Sequence, residues 1–212
     1  RVVVEGETTA TLATAAARAA LADAKMSATD LDMIIVSTIT PECPFPSTAC
    51  FVQQALKAAP IPAMDLAAAC SGFIYGLVNA SFLLQGGHYK NIMVIGAETM
   101  SRITDYEDRS TCILFGDGAG AAILSATKPE EPERILHYKL HAEGSGLTML
   151  CVPAGGSRVP ASRMTIDERL HYVKMQGREV YKLAVKRNLE LVDSTLSEAG
   201  ISAEDISLVI PH

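Results

Sequence analysis

The segment at residues 65–73, DLAAACSGF, places a cysteine between a short apolar run and a serine and glycine. A cysteine where a buried strand gives way to a helix lies beside unpaired backbone N–H groups and the positive end of the helix dipole, and both favour the thiolate. The same N–H groups can stabilise negative charge on a carbonyl oxygen under attack. The sequence therefore predicts a nucleophile at Cys70, with Ser71 and Gly72 small enough to leave room for a substrate. The alternative is that Cys70 is a small buried apolar residue, as free cysteines usually are.

The composition argues against several kinds of binding site and several classes of protein. The five cysteines are odd in number and show no metal-ligand or disulfide spacing, so reduced thiols are expected and neither a zinc site nor a disulfide framework. A net charge of -6 with scattered basic residues argues against nucleic-acid binding. No apolar run is long enough to span a membrane and the first residues lack a signal pattern, so we expect a cytoplasmic location. His137 and His141 are four residues apart, but the alternating segment around them predicts an exposed strand face, not a metal site.

The elements that must position Cys70 alternate between helices and strands. Helices are predicted at 8–24, 48–59 (capped by Ser47), 71–85 and 177–199, and strands at 30–38, 63–69, 92–97 and 134–142, with a glycine-interrupted strand or hairpin at 113–124. The strand near residue 34 is apolar without alternation, which is typical of a parallel strand covered on both faces. The class is therefore α/β.

Two segments of the chain align without gaps: MSATDLDMII at 26–35 and ISAEDISLVI at 201–210. Each follows a long helix, so the chain looks duplicated, although a common helix-turn-strand unit could match by chance. A connection at 127–133, TKPEEPE, divides a first half at 1–128, which carries Cys70, from the start of a second half at 129–212. Because the second repeat stops as its strand ends, we expect a natural C-terminal portion to be absent from this sequence.

Longer stretches of the chain resemble the β-ketoacyl-acyl carrier protein synthase III family. They are DLAAACSGFIYGL, FPSTAC, VIGAETMS, DRSTCILFGDGAGAAIL, GGSRVPAS, KMQGREVYKLAV and VIPH, in family order along nearly the whole chain. The resemblance implies a thiolase-like fold, in which two βαβαβαββ halves related by a pseudo-twofold axis pack as α-β-α-β-α layers. The second half would be incomplete here.

The resemblance also implies an activity and its catalytic residues. The cysteine matching Cys70 accepts an acyl group, usually acetyl, from an acyl-coenzyme A as a thioester. Malonyl-acyl carrier protein then loses carbon dioxide, and its carbanion attacks the acyl-cysteine to give a 3-oxoacyl-acyl carrier protein, which starts fatty acid synthesis. His212, in VIPH, matches the histidine that with an asparagine donates hydrogen bonds to the enolate oxygen. A neutral imidazole suffices for this, so neither a metal nor a cofactor is expected, coenzyme A entering as the substrate thioester.

Three further residues match substrate-binding positions of the family. Arg109 matches a contact to the nucleotide end of coenzyme A, and its alternative is an ion pair with Asp108 or Glu107. Gly177 matches a position where the pantetheine arm passes close to the backbone, or is a turn glycine. Lys182 matches a basic position used in carrier-protein docking, or is simply solvated.

Five apolar residues match the acyl pocket of the family. Phe45 matches a residue that reaches across a homodimer into the partner's pocket, and Ile39, Met100, Phe115 and Met175 match residues that line the chain's own pocket. On sequence alone all five would be assigned to the core.

The family's asparagine and late glycine-rich loop would follow His212, and its first strand would precede Arg1. We therefore expect the natural enzyme to be longer.

Two other functions remain open on the sequence. One keeps the fold but changes the reaction, to that of a hydroxymethylglutaryl-coenzyme A synthase-like or head-to-head condensing relative. The other is a thiolase-fold dimerisation or binding module without catalysis, which applies if the chain truly ends at His212.

Overall fold

A computed structural model describes residues 1–127, 131 and 135–211. The chain divides into two compact units, and each is described by itself. The first comprises Arg1–Arg102 and Gly116–Pro132, and the second comprises Ile103–Phe115 and Glu133–His212. The predicted boundary between residues 128 and 129 lies outside the described residues and stays a prediction.

The first unit is built on a four-stranded sheet with helices on both faces. Its helices are α1 (Thr9–Ala24), α2 (Thr48–Leu56) and α3 (Gly72–Gln85), and its strands are β1 (Met33–Ser37), β2 (Ala63–Leu66), β3 (Asn91–Thr99) and β4 (Asp117–Ser125). The strand order is β2-β1-β3-β4, with β1 parallel to both neighbours and β4 antiparallel to β3. The helices and strands predicted for this unit are therefore confirmed, with ends shifted by a few residues.

Strand β1 lies at the centre of this unit and is buried along its whole length. Ile34 and Val36 pack in the cluster that covers the face of α1 and α2, whereas Met33 and Ile35 pack in the cluster on the face of α3. A strand with both faces covered needs apolar residues at every position, which explains the absence of alternation.

Helix α1 packs through small residues. Ala13 and Ala17 are fully buried, and both lie in the core cluster with β1 and β3. The helix begins with a capping box between Thr8 and Thr11 and ends at Lys25, whose backbone is left-handed with φ 55°. Alanine on the buried face lets the helix approach the sheet closely.

The N-terminus of α2 is capped from a neighbouring strand and not by the predicted Ser47. Ser47 occupies the N-cap position, but within the described part of the chain its side chain makes no capping hydrogen bond. The Asp65 carboxylate of β2 accepts instead from the backbone N–H groups of Thr48, at 2.6 Å, and Ala49, at 2.9 Å. A carboxylate satisfies two free N–H groups and complements the positive end of the helix dipole.

Replacing Asp65 with alanine is therefore expected to lower the free energy of unfolding by about 1 to 2 kcal/mol, the usual effect of losing a helix cap. Urea denaturation followed by circular dichroism measures this loss. Ser47→Ala is the matched control and should cost less than half as much. An equal or larger loss for Ser47→Ala would contradict the assignment of the cap to Asp65.

The second unit contains one long helix and short elements. These are β5 (Leu150–Cys151), α4 (Arg163–Asp167), β6 (Lys174–Met175) and α5 (Gly177–Ala199), with β5 and β6 antiparallel. The prediction of α5 is confirmed, and Gly200 ends the helix in the left-handed conformation with φ 65°.

Two strands predicted for the second unit are absent from the described residues. Neither 135–142 nor 206–210 is part of a strand there, and Arg134 lies outside the described residues. A strand is held by ladder hydrogen bonds to a neighbour, and among the described residues neither segment is paired into a sheet. The predicted exposed face is wrong for His137, which is half-buried with its Nε2 3.4 Å from Oε2 of Glu198 on α5, whereas His141 is exposed as predicted.

Candidate functional site

Cys70 lies in a single 3-10 turn, Ala69–Ser71, between the end of β2 and the start of α3. It is exposed, whereas the other four cysteines are half-buried. The alternative that Cys70 is a buried apolar residue is therefore wrong. The predicted junction of strand and helix is present, and it presents the thiol at the surface of the first unit.

The residue before the thiol has an unusual backbone conformation. Ala69 has φ 46°, in the left-handed region that L residues other than asparagine and aspartate rarely adopt. Such a residue costs on the order of 1–2 kcal/mol and persists where its surroundings determine it. The turn reverses the chain sharply between β2 and α3. Nothing in the sequence signals it, because position 69 is an alanine and not a glycine.

The start of α3 is fixed against the sheet by two glycines. Ser37 Oγ donates a hydrogen bond to the Gly72 carbonyl at 2.8 Å, and a Cβ at Gly72 would lie 3.1 Å from Ser37 Cβ. A Cβ at Gly76 would lie 2.7 Å from Val94 Cγ1. The missing side chain at Gly72 thus faces β1, so that glycine serves helix packing and does not leave room for a substrate. This packing holds the turn with Cys70 at the end of the sheet.

Glu98, near the end of β3, orders the segment that carries Ile39, and the sequence analysis did not single it out. Its carboxylate accepts hydrogen bonds from the backbone N–H groups of Ile39, at 2.9 Å, and Thr40, at 3.1 Å, and from the hydroxyl groups of Thr38 and Thr40. These contacts fix the segment after β1. The sequence feature that could have pointed to Glu98 is that it is the single carboxylate in the largely apolar segment VIGAETMS.

None of the five residues assigned to the acyl pocket is buried. In the first unit Ile39 is 40% exposed, Phe45 is 85% exposed and Met100 is half-buried. In the second unit Phe115 and Met175 are half-buried. The alternative that they form the core is therefore wrong. Their part in an acyl pocket stays a prediction.

The residues assigned to coenzyme A and carrier-protein binding lie in the second unit. Arg109 is exposed, and in the part of the chain that the structure describes it forms no ion pair with Asp108 or Glu107. Gly177 is exposed at the first position of α5. Lys182 is exposed and lies 3.1 Å from the Glu179 carboxylate. His212 lies outside the described residues.

The described residues contain no group of three or more histidine, cysteine, aspartate or glutamate side chains that could hold a metal ion. Within the same residues, no helix combines the length and the apolar character that crossing a membrane requires.

A family model described as 3-Oxoacyl-[acyl-carrier-protein (ACP)] synthase III matches residues 64–144, a segment that includes Cys70 and Arg109. Curated relatives named beta-ketoacyl-[acyl-carrier-protein] synthase III match the whole chain at 48% identity in Caldanaerobacter subterraneus and 44% in Clostridioides difficile. The chain spans 63% and 64% of the length of these two relatives.

Solved structures agree with the sequence relatives. The 3-oxoacyl-[acyl-carrier-protein] synthase III of Aquifex aeolicus is 44% identical, with a TM-score of 0.86 over 100% of this chain and 63% of its own. The enzyme of Pseudomonas aeruginosa is 34% identical, with a TM-score of 0.83 over 95% of this chain and 59% of its own. The expected α/β, thiolase-like fold is thereby confirmed. Sequence and structure together show that this chain is similar, over its whole length, to β-ketoacyl-acyl carrier protein synthase III enzymes.

Proposed function

We propose that this chain carries the nucleophile of an acyltransferase that condenses an acyl-coenzyme A primer with malonyl-acyl carrier protein, the first condensation of fatty acid synthesis. The observation that carries the proposal is an exposed Cys70 in a strand-to-helix turn, inside the segment that matches the family model. A nucleophile that must meet a bulky thioester has to be accessible and held rigidly. The exposed thiol and the tight packing at Gly72 and Gly76 meet both needs.

In the first step the Cys70 thiolate attacks the carbonyl carbon of the acyl-coenzyme A. A bond forms between that carbon and the Cys70 sulfur, the bond to the coenzyme A sulfur breaks, and coenzyme A leaves as a thiolate that takes up a proton. Backbone N–H groups near Cys70 are proposed to stabilise the oxyanion of the tetrahedral intermediate. The N–H groups of Ser71 and Gly72 are not available for this, because they donate to the carbonyls of Ala68 and Ala69. An acetyl group is the proposed primer.

In the second step malonyl-acyl carrier protein loses carbon dioxide, and the electron pair of the broken carbon–carbon bond passes into an enolate. Its carbon attacks the acyl-Cys70 thioester, the new carbon–carbon bond forms, and the Cys70 thiolate is released. Decarboxylation produces the carbanion without a strong base. His212 is proposed to donate a hydrogen bond to the enolate oxygen.

The remaining assignments belong to the same proposal. Arg109 would contact the nucleotide end of coenzyme A through its guanidinium group, and Gly177 would let the pantetheine arm pass. Lys182 would contribute to docking of the carrier protein. A homodimer is proposed because Phe45, which matches the residue that reaches into the partner's pocket, has 85% of its surface exposed in the single chain.

The test is to incubate the protein with labelled acetyl-coenzyme A and malonyl-acyl carrier protein, and to follow both the protein adduct and the product by mass spectrometry. We expect an acetyl group on Cys70, release of carbon dioxide, and a 3-oxoacyl-acyl carrier protein. A condensed product formed without malonyl-acyl carrier protein would favour the head-to-head or hydroxymethylglutaryl type of reaction. Absence of any adduct on Cys70 would favour a module without catalysis.

A further inference from the structure

In the second unit, the loop that carries Arg109 is anchored by a buried carboxylate. The side chain of Asp105 is 6% exposed. It accepts hydrogen bonds from Nε of Arg169 at 3.2 Å, from Nη2 of the same guanidinium, and from Nζ of Lys174 at 3.2 Å. One buried anion is thus held by two cations from a single later segment, 64 and 69 positions further along the chain.

The same residue fixes the backbone of its own loop. Asp105 Oδ1 accepts from the Glu107 N–H at 3.1 Å, and the Asp105 carbonyl accepts from the Asp108 N–H at 3.0 Å. Asp108 in turn accepts from the hydroxyl groups of Ser110, at 2.6 Å, and Thr111, at 2.9 Å. Arg109 therefore lies between Asp108 and Ser110, and both of these neighbours are held by hydrogen bonds within the loop.

The anchor also reaches the strand that precedes α5. Lys174 belongs to β6, next to Met175 and three residues before Gly177. The Ile103 carbonyl accepts from the N–H of Val173, the residue just before β6, at 2.8 Å, which ties the start of the loop to the same segment. The Asp105 carboxylate thus connects the loop that carries Arg109 to the residues just before α5.

Burial of a charged group is costly, and replacing a buried ion pair by apolar residues is often neutral or stabilising. Arg169 adds to this cost, because its backbone has φ 56°, a left-handed conformation that is unfavourable for arginine. Hydrogen bonds from the Arg169 guanidinium hold the pKa of the Asp105 carboxyl well below its usual value, so the carboxylate is ionised at neutral pH. The buried cluster of Asp105, Arg169 and Lys174 therefore costs folding free energy, which indicates that its fixed geometry serves a purpose other than stability.

We propose that Asp105, together with Arg169 and Lys174, is a positioning residue for the binding of coenzyme A thioesters, because it holds Arg109 and the Met175–Gly177 segment at a fixed separation. This inference rests on the proposed function, which assigns Arg109 to the nucleotide end of coenzyme A and Gly177 to its pantetheine arm. A ligand that bridges both positions binds well only if their separation is set before binding.

The test compares the wild type with Asp105→Asn, in which an amide of the same shape replaces the carboxylate. Two quantities are measured: the dissociation constant of coenzyme A by calorimetry, and the acetyl-coenzyme A concentration that half-saturates the rate of Cys70 acylation. We expect both to rise by about tenfold, with a smaller change in the maximal rate. A purely structural role would instead lower the fraction of protein that is acylated and leave both concentrations unchanged.

A second variant separates positioning from stability. Arg169→Gly removes the guanidinium group and at the same time relieves the left-handed strain, so its loss of stability is partly offset. It should still weaken coenzyme A binding, and Arg169→Lys, which keeps the positive charge, should partly restore it. Asp205→Asn is the matched control, since Asp205 is an exposed carboxylate of the same unit that caps the turn at Ser202, and it should change neither concentration.

The outcomes distinguish this inference from the proposed function. If the wild type binds coenzyme A but is not acylated, the proposed activity fails, and the calorimetric comparison still decides the role of Asp105. If the wild type is acylated and Asp105→Asn binds coenzyme A as tightly as the wild type, the inference is wrong and the activity stands. If the wild type does not bind coenzyme A at all, both are overturned.

Discussion

Cys70→Ala is expected to abolish transfer of the acetyl group from acetyl-coenzyme A to the protein, with a loss of at least about a thousandfold in the acylation rate. Alanine leaves the turn and the packing of α3 unchanged, because Cys70 is exposed and Gly72 and Gly76 make the contacts with the sheet. The loss would therefore report the chemistry of the sulfur and not the stability of the fold. Intact-mass spectrometry after incubation with acetyl-coenzyme A measures it.

Two further variants sharpen this prediction. Cys70→Ser keeps an oxygen nucleophile of similar size, but a serine hydroxyl is not ionised at neutral pH, so we expect a loss almost as large. Cys50→Ala is the matched control, because Cys50 is a half-buried cysteine of α2 and alanine is favourable in a helix. An acetyl adduct that persists in Cys70→Ala but disappears in Cys50→Ala would overturn the assignment of the nucleophile.

The parts of the fold that the sequence predicts well are those whose pattern is local. Helix α5 has its stop signal in its own sequence, the glycine at position 200, and the buried strand β1 has an uninterrupted apolar run. Hydrophobic periodicity and end signals act over a few residues, so they can be read without the tertiary structure. The position of Cys70 between β2 and α3 follows from the same local signals.

The parts that sequence reasoning missed depend on distant partners. The cap on α2 comes from Asp65, which lies 17 residues after Thr48 and accepts a hydrogen bond from its backbone N–H. Ser47, which is next to the helix in sequence and is of a typical capping residue type, does not cap it. The Asp105 carboxylate is held by Arg169 and Lys174, which lie 64 and 69 positions further along the chain. The alternation at 135–142 predicts a strand, but a strand also needs a neighbour, which the pattern of one segment cannot supply.

Gly76→Val is expected to destabilise the first unit by about 3 kcal/mol, toward the upper end for overpacking of a well-packed core. A Cβ at position 76 alone would lie 2.7 Å from Val94 Cγ1 and 3.2 Å from Ser37 Oγ, closer than van der Waals contact allows. Valine adds two more carbons at the same point, and both Val94 and the neighbouring Ile35 are fully buried, so they have little space to move. Urea denaturation monitored by circular dichroism measures the change in the free energy of unfolding.

The contact can be tested through its partner. Gly76→Ala should cost less, because the higher helix propensity of alanine returns about 1 kcal/mol. Val94→Ala removes the atom that the new Cβ would meet, so the double variant should be more stable than the sum of the two single losses predicts. Asn79→Val places the same β-branched side chain on the exposed face of α3 and should cost less than about 1 kcal/mol. If Gly76→Val were as stable as Asn79→Val, the close approach of α3 to β3 would not be what holds the Cys70 turn against the sheet.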